Sequence, residues 1–331
     1  MRITNNMSVT GTINNIQVST GKLDKLNQQL SSGKKISIPS DDPTGTIKAM
    51  GYRSNLKEID QYIRNIDGAK ATLDSTDVAL NQVTNIMQRV RELGVEAAND
   101  TYETNARDAI GDEITQLLDQ VVELANTKVG NKYIFGGFET TDPPFKSYTG
   151  ESDGSLGGPG GDLTRSDGSV RSNINDKNIT KVTYIGDAGR IMTEIDENVR
   201  TSFNVSGQET FLDGENVFEV IMNLRDNIYK EEVTDESGDG NSIQKSLDEM
   251  DDSINQILKY RSEAGAKLQR IEQSNSKLEN KKISITELLA NAEDTDVTKT
   301  IMDLKIQESV QRMALSVGAS IIQPTLMDFL G

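Results

Sequence analysis

Tyr184, Asp187, Arg190 and Asp196 are the one polar cluster from which a catalytic site could be assembled in this chain, and its carboxylate pair would have to do the acid–base work. The chain contains no Cys, no His and no Trp. Triads that use His as a base are therefore excluded. Thiolate chemistry and disulfides are absent, so the redox compartment is immaterial. Zinc and copper sites lose their usual ligands.

A second candidate is the run Asp235-Glu236-Ser237-Gly238-Asp239-Gly240-Asn241. Acidic residues at loop positions one and five, with Gly at six, imitate a calcium loop. The twelfth position should be a bidentate Glu and is Ser246, so the run reads as an acidic turn ahead of a helix. Gly21-Lys22 and Gly33-Lys34 lack the upstream Gly and the following hydroxyl of a phosphate loop. Gly136-Gly137 follows a strand-like piece but opens no helix, which makes it a turn and not a dinucleotide site. No catalytic residue, cofactor or metal is expected.

Composition points away from a wide, round core. Over 331 residues only 34% are apolar and 5% aromatic. Long helices with narrow apolar seams need less apolar payload, so an elongated helical molecule is expected. The net charge is −17. A nucleic-acid binder should be basic, and an anionic membrane surface would repel this chain. Residues 130–240 hold 10 Lys+Arg against 21 Asp+Glu, which reads as a solvated outer surface that discourages wrong contacts. The start has no apolar segment of a secretory signal. No stretch approaches the ~18 consecutive apolar residues of a membrane span.

The elements that would carry any site are mostly helical. Ile13, Ile16, Leu23, Leu26 and Leu30 follow steps of three and four up to a stop at Gly33. Ser40-Asp41-Asp42-Pro43 is a helix start, with acidic caps before a Pro at the first helical position. After it Ile59, Ile66, Leu73, Leu80 and Met87 recur every seven residues, with Tyr62, Ala69, Thr76, Val83 and Val90 as partner positions. A third helix follows with Ile110, Ile114, Leu117, Val121 and Leu124, ending near Gly130.

From there the texture changes. Residues 130–240 contain 16 of the 27 Gly, and strand-like pieces at 132–135, 182–185 and 201–205 are separated by turns. The run 154–161 reads as a flexible Gly-rich loop, and a short helix is expected around 216–229. From Ser242 a heptad returns: Ile243, Leu247, Met250, Ile254, Ile257, Ala264, Leu268, Ile271, Leu278, Ile285, Leu289 and Ala292 share one seam. A last helix from about Val297 carries Ile301, Leu304, Leu315 and Ile322 on one face and Ile306, Val310, Met313, Val317 and Ile321 on another, before Pro324.

The expected fold is mainly α with a β-rich insert: the two chain ends form an antiparallel long-helix bundle, with a small β domain at the tip. The expected boundaries are 1–42 for an N-terminal assembly helix and connector, and 43–130 for the first half of the bundle. Residues 131–240 form the β-rich outer domain, 241–294 the second half of the bundle, and 295–331 a C-terminal assembly helix. Seams at the extremities are hard to satisfy within one molecule, and apolar residues on two faces of a helix imply cover on two sides. Ile13, Ile16, Leu23, Leu26, Leu30, Ile301, Leu304, Leu315 and Ile322 are therefore the expected intermolecular contact residues.

Several runs resemble the bacterial flagellin family. They are Met1-Arg2-Ile3-Thr4-Asn5-Asn6-Met7, and Leu30-Ser31-Ser32-Gly33-Lys34-Lys35-Ile36 leading to Pro39-Ser40-Asp41-Asp42-Pro43. Tyr133-Ile134-Phe135-Gly136-Gly137 and Phe211-Leu212-Asp213-Gly214-Glu215-Asn216-Val217-Phe218 look more like the hook–filament junction members of that family than like flagellin. Residues 150–200 match nothing in it. The resemblance implies a structural subunit of the extracellular flagellum, exported with the aid of a flagellar export chaperone. It would stand between hook-associated protein 1 on the hook and the flagellin filament, beside neighbouring copies of itself. It also implies that the terminal helices face inward and the middle outward. Terminal segments unable to bury their seams alone are expected to order as neighbours arrive.

Overall fold

A computed structural model describes residues 5–99, 104–149, 178–229 and 242–322. The calcium-like run 235–241, the Gly-rich run 154–161, Ile3 and Pro324 lie outside the described residues. The element order is α1 (Asn5–Ser32), α2 (Pro43–Ala97), α3 (Thr104–Ala125), β1 (Lys128–Val129), β2 (Lys132–Tyr133), β3 (Phe145–Thr149), β4 (Ile179–Tyr184), β5 (Met192–Asp196), β6 (Val199–Ser202), α4 (Gly207–Phe211), α5 (Val217–Tyr229), α6 (Ile243–Glu293) and α7 (Val297–Ile322).

The helix signals act as their chemistry requires. Gly33 takes φ of +70° just past α1, a conformation that side chains with a Cβ resist. Asp42 caps α2: its Oδ1 accepts from the Gly45 N–H at 2.9 Å, and Pro43 occupies the first helical position, where no donor is needed. Asp296 caps α7 in the same way, accepting from the Lys299 N–H at 3.1 Å. Asn216 caps α5 through the Glu219 N–H at 3.3 Å.

The chain forms two compact units, residues 1–60 with 279–331, and residues 61–278. In the second unit the heptad positions do the packing. Ile66, Leu73, Leu80 and Met87, with Ala69, Thr76, Val83 and Val90, are 2% exposed or less. They are matched on α6 by Met250, Ile257, Ala264, Ile271 and Leu278, all 1% or less. Ion pairs fix the direction of the pairing: Lys70 meets Glu272 at 2.7 Å, Asp77 meets Arg261 at 2.9 Å, and Arg91 meets Asp251 at 2.5 Å. As the number rises on α2 it falls on α6, so the helices are antiparallel. Arg261, a polar interruption of the seam, is thus spent on a specific partner that sets register.

The β insert belongs to the same unit. It consists of three separate antiparallel two-stranded ladders, β1–β2, β3–β4 and β5–β6. Some boundaries differ from those expected. The third helix ends at Ala125, not near Gly130, because Gly130 with φ of +61° turns a hairpin between β1 and β2. The strand expected over 201–205 stops at Ser202. Beyond it the Asn204 side chain replaces the ladder, accepting from the Ile191 N–H at 2.8 Å and donating to the Gly189 carbonyl at 2.7 Å. Strands β3 and β5 have no counterpart in the sequence reading, since Phe145-Lys146-Ser147-Tyr148-Thr149 buries only its first residue.

Phe135, Phe145, Phe211 and Phe218 form the aromatic centre of this region, with ring centroids 5.1–5.6 Å apart in the paired contacts. Arg225 is fully buried beside Asp226, donating to Asp226 Oδ1 at 2.8 and 3.0 Å and to the Ile179 carbonyl at 2.9 Å. It ties α5 to β4.

Candidate assembly interface

The polar cluster considered for catalysis is taken up by structure. The Tyr184 hydroxyl lies between two carbonyl acceptors, Asp187 at 2.8 Å and Phe135 at 3.0 Å, which share its single proton, and burial pushes its phenol pKa up. Asp187 Oδ1 accepts from the Phe138 and Gly189 N–H groups at 2.6 and 3.0 Å. Arg190 pairs with Glu209 at 3.1 Å, and Asp196 with Lys277 at 2.6 Å. Tyr184 and Asp187 staple one turn, whereas Arg190 and Asp196 are each occupied by an ion pair to a helix. Ser246, the twelfth position of the calcium-like run, is buried and accepts from Asn227 Nδ2 at 2.9 Å. Among the described residues no group of three carboxylates could hold a metal ion, and no helix is long and apolar enough to cross a membrane.

The terminal unit has a different character. Its two connectors are sewn together. The Lys35 N–H donates to the Glu293 carbonyl at 2.6 Å, the Thr295 N–H donates to the Gly33 carbonyl at 3.0 Å, and Lys34 and Asp294 form an antiparallel bridge. The Glu293 carboxylate lies in the middle, accepting from Lys34 Nζ at 2.7 Å on one oxygen and from Arg53 on the other. Burial opposes ionisation of Glu293, but the Lys34 hydrogen bond and the charge of Arg53 outweigh it, and the carboxyl is held below its ordinary 4.5.

Joined at this clasp, α1 and α7 run antiparallel. Gln307 Nε2 donates to Ser19 Oγ at 2.8 Å, and Gln311 Nε2 donates to Thr20 Oγ1 at 3.1 Å. Gly318 lies against α1: a Cβ there would make ordinary contact, 3.4 Å, with Ile16 Cδ1 and Thr12 Cγ2. The α7 positions that lose solvent are Thr300, Leu304, Gln307, Gln311, Ala314 and Gly318, a run of three- and four-residue steps made mostly of small and polar residues. On α1 they are Val9, Thr12, Ile16, Ser19, Leu23, Leu26 and Leu30.

The large apolar side chains of α7 lie elsewhere on its surface. Met302, Ile306, Val310, Met313 and Val317, spaced at i, i+4, i+8, i+11 and i+15, share one face and are 41–62% exposed. Ile301 and Leu315, on the flank of the seam, are 45% and 51% exposed. Ile13 on α1 is exposed at 45%, while Ile16, Leu23, Leu26, Leu30 and Leu304 are half-buried along the α1–α7 seam. Ile322 is the last residue of α7, and its side chain lies outside the described set. The polar seam residues Ser19, Gln307 and Gln311 were missed from sequence. Their heptad-like spacing is the signal that could have found them. Ile47 and Met50 at the start of α2, and Ile283 and Leu288 near the end of α6, add exposed apolar surface to the same unit.

Among the described residues 23 large apolar side chains are exposed and 16 of them belong to the terminal unit, whereas the continuous apolar core lies in the second. Charge divides the same way. The terminal unit has 13 basic and 13 acidic residues and the second has 22 and 39, so the entire −17 resides in the second. A neutral surface with many exposed aliphatic side chains is suited to packing against other protein and poorly suited to lasting contact with water.

Residues 3–140 match the bacterial flagellin N-terminal helical region, and residues 247–330 the bacterial flagellin C-terminal helical region. The chain is 26% identical to flagellar hook-associated protein 3 of Escherichia coli, over 93% of each chain. It is 25% identical to polar flagellin F of Vibrio parahaemolyticus, over 96% of each. The solved flagellar junction protein FlgL from Legionella pneumophila superposes with a TM-score of 0.54 at 14% identity, covering 75% of this chain and 100% of its own.

Proposed function

The chain belongs to the bacterial flagellin family, with both terminal helical regions of that family present, and from this premise we propose that it is a structural subunit of the flagellar hook–filament junction. The observation that carries the proposal is the concentration of exposed apolar side chains on a unit of zero net charge. In this reading the subunit is exported, with an export chaperone, to the extracellular flagellum. There it packs on hook-associated protein 1 below, on flagellin above and on neighbouring copies of itself. A head-to-tail contact that does not close on itself supplies the helical order.

Magnitudes favour contact on several sides. Fully burying a Val, Leu, Ile or Met side chain is worth about 1.5–3 kcal/mol. Ile301, Met302, Ile306, Val310, Met313, Leu315 and Val317 are already about half covered, so burying the rest yields roughly 5–10 kcal/mol. Association costs on the order of 4–15 kcal/mol. One α7 face alone is marginal, and the exposed residues of α1, α2 and α6 must share the work, as they would in a lattice with several neighbours. Ile13, Ile301 and Leu315 act at these outer contacts. Ile16, Leu23, Leu26, Leu30 and Leu304 hold the α1–α7 pair in shape.

The test is incorporation of purified protein onto isolated hooks bearing hook-associated protein 1, followed by electron microscopy. Leu315→Asp should abolish incorporation while the melting of the unit 61–278 stays unchanged. An equal loss of thermal stability would make Leu315 ordinary core and defeat the proposal. A second reading, flagellin filament subunit, is favoured by the near-complete alignment with a polar flagellin. The same micrographs decide it: a filament subunit forms long filaments alone, whereas a junction subunit stops after a layer.

A further inference from the structure

Four methionines of the terminal unit stand in solvent: Met7, Met50, Met302 and Met313 are 57–67% exposed. In the second unit Met192 on β5 is 56% exposed, whereas Met87, Met222 and Met250 are at most 3% exposed. Met302 and Met313 lie three turns apart on the exposed face of α7, interleaved with Ile306 and Val310. The chain has no Cys and no Trp. Its thioethers are therefore its only sulfur groups, and no thiol competes with them for an oxidant.

We propose that Met302 and Met313 are modification sites at which a two-electron oxidant of the peroxide class switches the assembly face off, an inference that rests on the assembly reading above. The sulfur lone pair attacks one peroxide oxygen. An S–O bond forms as the O–O bond breaks, and the other oxygen leaves as hydroxide. That hydroxide takes the proton from the transferred oxygen, so one thioether and one hydrogen peroxide give one sulfoxide and one water. Sulfur is oxidised by two electrons and peroxide is reduced by two. The product is a polar acceptor where the contact requires an apolar, pliable side chain. Ile and Val neighbours offer no donor to it, so burying the oxidised face leaves the new oxygen unsatisfied. The core methionines are shielded, so the free subunit keeps its fold while its contact surface changes.

The full chain, treated with hydrogen peroxide and mapped by peptide mass spectrometry, should carry sulfoxide at Met302 and Met313 before Met87, Met222 or Met250. Incorporation onto hooks should then fall roughly tenfold or more, and methionine sulfoxide reductase should restore it. A Met302→Leu/Met313→Leu chain should incorporate normally and keep doing so after peroxide. Undiminished incorporation of the oxidised unsubstituted chain would overturn the inference, and so would an equal peroxide loss in the double leucine variant. Failure of the untreated chain to incorporate would overturn the assembly reading, and this inference with it.

Discussion

Glu293 accepts from both Lys34 and Arg53, and its own backbone carbonyl accepts from the Lys35 N–H. Glu293→Gln keeps the shape and removes the charge. It should raise hydrogen exchange in α7 several-fold at neutral pH without moving the melting of residues 61–278. The pH dependence has a definite sign. A carboxyl held below its ordinary 4.5 stabilises fully above that value, and the contribution is lost as pH falls through the lowered one. Acid titration followed by exchange in α7 should therefore show loosening only below about pH 4.5, and Glu293→Gln should flatten that response. Gly136 is a second decisive residue. A Cβ there would stand 2.1 Å from the Glu139 carbonyl oxygen, which is backbone and cannot move aside. Gly136→Ala should cost about 1–3 kcal/mol, read as a shifted urea midpoint.

At the scale of elements, the two helix pairs are built from different material. The α2 and α6 positions that meet in the second unit are mostly large aliphatic side chains and are almost fully buried. The α1–α7 seam relies on half-buried leucines, two glutamine hydrogen bonds and one glycine. Local opening costs least where few apolar contacts must be broken. In the free subunit, amides of residues 9–30 and 300–318 should exchange roughly a hundredfold faster than those of 66–90 and 250–278, and incorporation should protect them. Equal protection of both pairs before assembly would contradict the idea that the ends acquire most of their stability from neighbours.

For the whole molecule, the apolar core spans Ala79 to Ile257 and draws on no residue of the terminal unit. A chain trimmed to residues 43–294, lacking α1 and α7, should melt within about 5 °C of the full chain and should fail to incorporate. Because the terminal unit carries equal numbers of acidic and basic residues, incorporation should change less than about threefold between roughly 0.05 and 0.5 M sodium chloride. Sulfate, which strengthens apolar burial, should promote it. A steep loss in salt would mean that charge, and not the oily faces, drives assembly.

What could be read from the sequence was what repeats locally. The recurrence of Ile59, Ile66, Leu73, Leu80 and Met87, the Asp42–Pro43 start and the Gly33 stop determined the helices, because periodicity and capping are properties of a dozen neighbouring residues. The surplus of apolar residues on the last helix pointed to contact with other chains for the same reason. The tertiary structure decided which face of that helix turns toward α1. Hydrogen bonds from Gln307 and Gln311 to Ser19 and Thr20 select a small, polar seam, and these partners lie some 290 residues apart in sequence. It also decided the roles of Glu293, Asp187 and Arg225, since a charged side chain shows its purpose only when the groups that surround it in space are known.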